Sequence, residues 1–411
     1  MRKILIVGSG QSGLQLALNL LSHGYDVTVM SARTPEEIRN GRVMSTQAMF
    51  DRALQLERSH QLNLWEAHAP KMRGLDIALS APPGTRALRV NAPFEGCSQS
   101  VDQRIKMAGW LELFEDKGGK VVIHGVTTAD LDGLTGLYDL VIVAAGRGEL
   151  VELFDRNPEW SPYVKPQRAL SVVYVHGIAP RAGLDTPHMG FNAVPGFGEL
   201  FAIPALTLSG PCEILLLEGI PDGTFDCWDD RPTPTEQLRR MLDLMRQYVP
   251  WEYERCEKVE LTDEGARLIG AVTPVVRHPV GDLPSGRVVL GMADVVVAND
   301  PVTGQGSNGA AKCAEVYLDS ILEREDRPFD RTWMQAAFDN YWVEAQHVTN
   351  WTNAMLQPLP EHVQRILGTA AGNRTVAARF ANGFSDPGDF QHWLLDPDKA
   401  AQYLASVAPE G

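Results

Sequence analysis

The chain has little cysteine, and none of it is paired in sequence. Cys97, Cys212, Cys227, Cys256 and Cys313 are scattered through 411 residues without a C-x-x-C spacing. That distribution excludes a disulfide frame and a zinc ribbon, and it reads as free thiols in a reducing compartment. The ten histidines form no compact set with cysteine or carboxylate neighbours, so no metal centre is expected. Positive charge is short as well. Lys and Arg number 37 against 52 Asp and Glu, a formal net charge of -15, which argues against nucleic acid as a general partner. No uninterrupted apolar run is long enough to span a bilayer. No charged and then apolar leader precedes the glycines that begin at residue 8. The expected setting is the cytoplasm, away from the membrane.

The first thirty residues carry the clearest signal. KILIVGSGQSGLQLALNLLSHGYDVTVMS reads as strand, tight turn, helix and strand, with Gly8, Gly10 and Gly13 in the pattern G-x-G-x-x-G. The first glycine permits the turn and the second lets a pyrophosphate approach the backbone. The third lets helix and strand pack closely. The phosphates would then rest on unpaired N–H groups at the positive end of the helix. The acid that normally closes the second strand is missing. VTVMSART ends in Met30, Ser31 and Ala32, and Arg33 is the nearest charged group, a candidate for the adenosine half.

Beyond Arg33 the pattern turns irregular. NGRVMST follows a short connection, a helical pattern covers Gln47 to Leu64, and residues 72–92 read as strands about Pro82-Pro83-Gly84. DLVIVAAG, ending at Ala145 and Gly146, is a short buried strand that should rejoin the nucleotide-binding sheet. LSVVYVHGI, FGELFAIPAL and CEILLLEGI favour strands. TPTEQLRRMLDLMRQYVP is a helix with Thr235 as its N-cap candidate, and the last eighty residues are mainly helical. The expected architecture is α/β. A Rossmann-like domain spans 1–165 together with 285–325, a mainly β substrate domain spans 166–284, and a helical segment spans 326–411.

A second strand-to-helix junction lies at ADVVVANDPVTGQGSNGAAKCA, residues 293–314. VVLGMADVVVAND is expected to be a strand that brings Asp294 near a sheet edge. Pro301 redirects the chain, and Gly304, Gln305 and Gly306 can expose successive N–H groups at the start of a helix near Ser307. One long cofactor, FAD, would account for both junctions. Its pyrophosphate would lie at the first, its ribityl hydroxyls on Asp294, and its ring edge on the Gly-Gln-Gly backbone.

GSGQSG, AAG at 144–146 and the 293–314 segment resemble the flavoprotein monooxygenases of the aromatic-hydroxylase superfamily. DPVTGQGSN together with GRVMST, SVDQR, GELFAIP and NWTN resembles, more narrowly, the oxygenase component of styrene and indole monooxygenases. The resemblance runs through almost the whole chain. It implies a two-component enzyme in which a separate NAD(P)H-dependent flavin reductase supplies FADH2. This chain would then use O2, through a flavin C4a-(hydro)peroxide, to epoxidise indole, styrene or a similar small aromatic. It also implies cofactor contacts from Ser12, Arg42, Ser45, Thr46, Arg104, Val126, Ala145, Gly146, Pro301, Ser307 and Asn308. A homodimer is compatible with the chain. Two departures stand out: Ala293-Asp294 replaces the usual Gly-Asp, and Ser45 stands where styrene oxygenases commonly have Asn.

No catalytic side chain is required, because the hard chemistry belongs to the cofactor. The substrate wall is expected from Phe191, Asn192, Phe197, Phe201, Ile203, Pro204 and Leu206, with Asn192 as the polar handle, and indole is expected ahead of styrene. A single-component NAD(P)H-dependent hydroxylase remains the main rival. YDLVIVAAGRGEL lacks the Asp-Gly pair of those enzymes. A halogenase is disfavoured by the lack of a W-x-W-x-I-P segment. A flavin-binding protein without catalysis stays open.

Overall fold

Ile4, Leu5 and Ile6 are all completely buried, as befits a strand covered on both faces of a parallel sheet. In the computed structural model, which describes residues 2–146 and 148–407, this strand (Lys3–Val7) is central to a six-stranded sheet. The order is Val280–Asp282, Val288–Gly291, Leu140–Val143, Lys3–Val7, Asp26–Ser31, Lys120–Ile123. Its strands run parallel except Val280–Asp282, which pairs antiparallel at the edge. Helices Gln11–Ser22 and Gly306–Arg324 pack against each other over it. Trp110, Leu111 and Phe114 of the helix Gln103–Asp116 lie in the same apolar core.

The second sheet has eight strands, in the order Glu260–Leu261, Ala169–His176, Gly210–Gly219, Gly198–Thr207, Met189–Val194, Met72–Ser80, Arg86–Ser98, with Arg267–Ala271 also on Ala169–His176. Side chains alternate across it. Val172, Phe191, Phe201 and Leu216 share one core with Trp351, Phe384 and Phe390 of the C-terminal helices. Val173, Leu200, Ala202 and Leu215 face the other way, onto Met241 and Met245 of the helix Pro234–Tyr248.

The pairing redraws the expected domain boundaries. Met72–Ser98, expected in the nucleotide-binding part, belongs to the second sheet through the parallel register of Leu75–Leu79 with Met189–Ala193. Val280–Asp282, expected in the substrate part, belongs to the first. Alternation announces a strand but not its partner. The expected strand through Asp294 stops at Gly291, and Ala293–Val295 form a 3-10 turn with Ala293 at φ +51. The helix expected from Gln47 is confined to Asp51–Ser59. Met49 pairs with Gln99, and the Phe50 N–H donates to Asn308 Oδ1. Thr233 rather than Thr235 caps Pro234–Tyr248, accepting from the Glu236 N–H while Pro234 takes the first helical position.

The segment beyond residue 326 is helical, with Arg331–Met355, Glu361–Ala370, Arg374–Asn382 and Pro397–Val407. Among the described residues no helix is long and apolar enough to cross a membrane. Trp351 is 1% exposed, with its ring 4.8 Å from Phe384 and 4.7 Å from Phe390. Trp351→Ala is expected to cost about 3–5 kcal/mol, read as a lower urea midpoint at unchanged slope.

Candidate active site

The three N-terminal glycines are required for three different reasons. Gly8 has φ +120, and a Cβ there would lie 2.8 Å from the Ala144 carbonyl carbon. At Gly13 a Cβ would meet the Gly8 carbonyl oxygen at 2.2 Å, so the helix can pack on the turn only without a side chain. Gly10 has nothing within 4 Å of its missing Cβ; its open side faces a cavity. No side chain caps the helix Gln11–Ser22, and no acid lies in its first turn. Its N–H groups are left for an anion.

That cavity, of about 400 Å³, gathers residues far apart in sequence: Gly8, Gly10, Ser12, Arg33, Arg42, Ser45, Arg104, Ala145, Gly146, Asp294, Gly306 and Ser307 all line it. The second junction supplies another uncapped helix start. Gly304 sits at φ +64 after the turn Pro301–Thr303, and the helix Gly306–Arg324 has no side-chain cap and no acid in its first turn. Residues 304–309 also spell G-x-G-x-x-G, but a 3-10 turn precedes them in place of a parallel strand. Gly146 lets Asp294 approach, since a Cβ there would lie 2.7 Å from the Asp294 Cβ. Two positive helix ends thus meet one cavity.

Where the acid of the second strand is missing, hydroxyls close the turn. Ser9 and Ser31 Oγ atoms are 2.7 Å apart, and Ser31 Oγ donates to the Arg33 carbonyl at 2.6 Å. Arg33 and Arg42 are exposed. Arg104 reaches the cavity but is committed elsewhere, bound to Asp102 at 2.8 Å and Asp263 at 2.8 Å. Burial pulls its guanidinium down, and the two carboxylates more than restore it, leaving it above its usual range. These pairs tie that part of the cavity wall to Asp102 and Asp263.

Other expected contacts lie back from the cavity. Asn308 is fully used as a bracket: Oδ1 accepts from the Phe50 N–H at 2.8 Å, and Nδ2 donates to the carbonyls of Ala48 at 2.8 Å and Gly304 at 2.9 Å. Gln305 donates to the Phe384 carbonyl at 2.9 Å. Gly13 acts by packing. Thr46 and Pro301 are half-buried near the two junctions, and Val126 packs on the first core.

The substrate set splits across the sheet. Phe191 and Phe201 stack at 4.8 Å and 14°, and Ile203 shares their face with Val43 and Val302. Asn192, next to Phe191 on the same strand, must point the opposite way. There its Oδ1 accepts from Trp251 Nε1 at 2.7 Å and its Nδ2 donates to Leu200 O and Glu252 Oε1, each at 3.2 Å. No free handle remains, which corrects the role expected for it. Phe197 also lies on that far side, against Phe225 and Tyr248. Pro204 and Leu206 alternate away from Ile203; the Leu206 backbone instead clips Ser100 and Asp102. A residue not anticipated is Tyr174, whose hydroxyl donates to the Ser45 carbonyl at 2.7 Å. Alternation along LSVVYV, carried across to Ile203, is the signal that would have found it.

Comparison with known proteins gives this cavity its context. The family model of the styrene monooxygenase A substrate-binding domain matches residues 146–255. Styrene monooxygenase StyA of Pseudomonas fluorescens is 30% identical over 419 residues, covering 99% of both chains. A second StyA, from Pseudomonas sp, is 30% identical over 418 residues at the same coverage. The chain belongs to the styrene monooxygenase family. It is an FAD-dependent monooxygenase. Solved structures of lower identity share the fold alone. The flavin-dependent brominase Bmp2 superposes with a TM-score of 0.66 at 12% identity, over 98% of this chain and 99% of that one. PqsL from Pseudomonas aeruginosa gives 0.60 at 16% identity, over 94% and 99%.

The residues of this family member fit FAD. Two uncapped helix starts suit its pyrophosphate and ring edge, and glycines stand where a Cβ would close the cradle. Gly13→Ala is expected to push the helix off the turn and weaken reduced-FAD binding by about tenfold or more, a loss of roughly 1.4 kcal/mol. Anaerobic fluorescence titration measures it. An affinity equal to wild type would show that the close approach at Gly13 is not needed.

Proposed function

We propose that this chain is the oxygenase half of a two-component system, epoxidising a small apolar aromatic alkene of the styrene type. It would take FADH2 from a separate NAD(P)H-dependent flavin reductase and use O2. The observation that carries the substrate class is the apolar face made by Phe191, Phe201, Ile203 and Val302. The full-length likeness to two StyA proteins supports it. The expectation of indole ahead of styrene rested on the family resemblance, on Ser45 in place of the usual Asn, on the apolar residues at 191–206 and on indole's electron-rich double bond. Asn192 was the group that would orient its N–H. With that amide engaged on the far side of the sheet, an alkene without a polar group fits the face better.

Reduced FAD, when bound, supplies the electrons that activate O2. The protein's own part is positioning and exclusion. The stacked pair Phe191–Phe201 offers a flat wall for an aromatic ring. Tyr174 holds the Ser45 segment against the same sheet, and the tail helices close the apolar core from behind. Exclusion of water limits the unproductive release of hydrogen peroxide.

Purified chain with FAD, NADH or NADPH, O2 and styrene should form negligible product, and adding an unrelated flavin reductase should start turnover. Rapid nicotinamide oxidation by the chain alone would make it a single-component hydroxylase instead. Under supplied FADH2, styrene should be consumed at a kcat/KM at least equal to that for indole. Phe201→Ala should lower kcat/KM for styrene by about 10- to 100-fold, from lost ring contact. Hydroxylation of phenols with styrene untouched would show the substrate class to be wrong.

A further inference from the structure

A second cavity, of about 730 Å³, shares no lining residue with the cavity between the two helix starts. It lies where the helix Arg374–Asn382 packs across the strand Arg86–Ser98. Arg374, Ala378 and Asn382 stand one helical turn apart, so a single face of that helix makes one wall. Phe50 and Phe94 supply the aromatic surface, their rings 6.0 Å apart and edge-on at 72°. The volume is that of a small-molecule site.

The charges around this cavity cancel in pairs. Arg379 binds Asp389 at 2.7 Å, Arg52 binds Asp386 at 3.0 Å, and Asp51 meets Arg58 at 3.4 Å. Arg374 and Glu95, both exposed at the cavity, are of opposite sign. An ionic ligand would have to break one of these pairs. A neutral ring needs only the apolar surface of Phe50, Phe94 and Ala378.

Phe50 is also a partition. Its ring comes within 3.7 Å of where a Cβ on Gly304 would stand, so the turn before the second helix start lies directly against it. Phe384 packs on Phe50 at 5.5 Å, and its neighbours Gly383 and Ser385 line the cavity. Both backbones are pinned to the second helix start. The Phe50 N–H donates to Asn308 Oδ1 at 2.8 Å, and the Phe384 carbonyl accepts from Gln305 Nε2 at 2.9 Å. The two rings belong to the apolar core that holds Phe191 and Phe201. Apolar contact alone holds them, so they can change rotamer while their backbones stay fixed.

We propose that this cavity is a holding site for the neutral aromatic substrate, and that the rings of Phe50 and Phe384 are the partition it passes to reach Phe191 and Phe201. The inference rests on the aromatic-alkene reading above and adds the side from which the substrate comes. Substrate and reduced flavin then enter by separate openings, and neither has to leave for the other to bind.

Two measurements test it. In crystals of the flavin-free protein soaked in 4-bromostyrene, the bromine anomalous signal should appear between Phe94 and Ala378. Ala378→Trp should remove that signal and lower kcat/KM for styrene about tenfold under supplied FADH2. Its affinity for reduced FAD should stay within about twofold of wild type. Thr375→Trp, from an exposed position on the same helix, makes the same test should Ala378→Trp fail to fold. An empty cavity in the soaked crystal, or a wild-type kcat/KM in a folded plugged variant, would overturn the proposal. A wild type that epoxidises styrene with this cavity empty refutes the holding site alone. A wild type that leaves styrene untouched under supplied FADH2 refutes the aromatic-alkene reading and the route with it, whatever the soak shows.

Discussion

Backbone must touch backbone where the two uncapped helix starts meet one cavity, and the rest of the arrangement follows from that constraint. The helix Gln11–Ser22 can aim its free N–H groups at the cavity only because Gly13 rests on the Gly8 carbonyl and Gly8 rests on Ala144. Gly146 gives Asp294 room in the same way. Each contact removes a side chain that would otherwise hold the sheet and its helices apart. The cavity that results is lined by N–H groups and hydroxyls with little acid, which suits a ligand carrying phosphates.

Much of the first sheet was legible because its signals are local. Gly8, Gly10 and Gly13 lie within six residues, and Ile4 to Val7 read as a doubly covered strand. The second junction was legible too, although its strand was drawn too long, since MADVVVAND contains a 3-10 turn at Ala293–Val295 that apolar content cannot reveal. What sequence does not carry is partnership over distance. Nothing in residues 72–98 announces a parallel pairing with Met189–Ala193. Nor does anything near Asn308 announce that its amide will bracket Ala48 and Phe50.

The error at Asn192 has a different cause. Phe191 and Asn192 were both assigned to the substrate wall, and strand geometry forbids that. The amide belongs to a buried polar network with Glu252, Arg255 and Glu213, in which Arg255 reaches Glu252 at 2.7 Å and Glu213 at 2.9 Å. Gly190 admits Arg181 to that network, since a Cβ there would lie 2.0 Å from the guanidinium. A network of this kind serves to fix the helix Pro250–Tyr253 on the sheet and to keep the register unique. Its polarity is structural, and it lies on the face away from Phe191 and Phe201.

The two faces of one sheet therefore divide the labour. On the far face, ion pairs tie Arg255 to Glu252 and Glu213, while the near face presents the stacked rings of Phe191 and Phe201. The near face in turn is closed by Trp351, Phe384 and Phe390 from the tail, while Thr303 and Thr352 join the flavin-side turn to that tail at 2.7 Å. The C-terminal helices are thus packed on the sheet face that carries Phe191 and Phe201, although none of their residues lines the cavity between the two helix starts. That core is built from packing across three distant segments of the chain. Changing side-chain size at Phe201 or Ile203 would alter the apolar face itself. Loosening the Thr303–Thr352 joint would release the tail from the turn that leads into the second helix start.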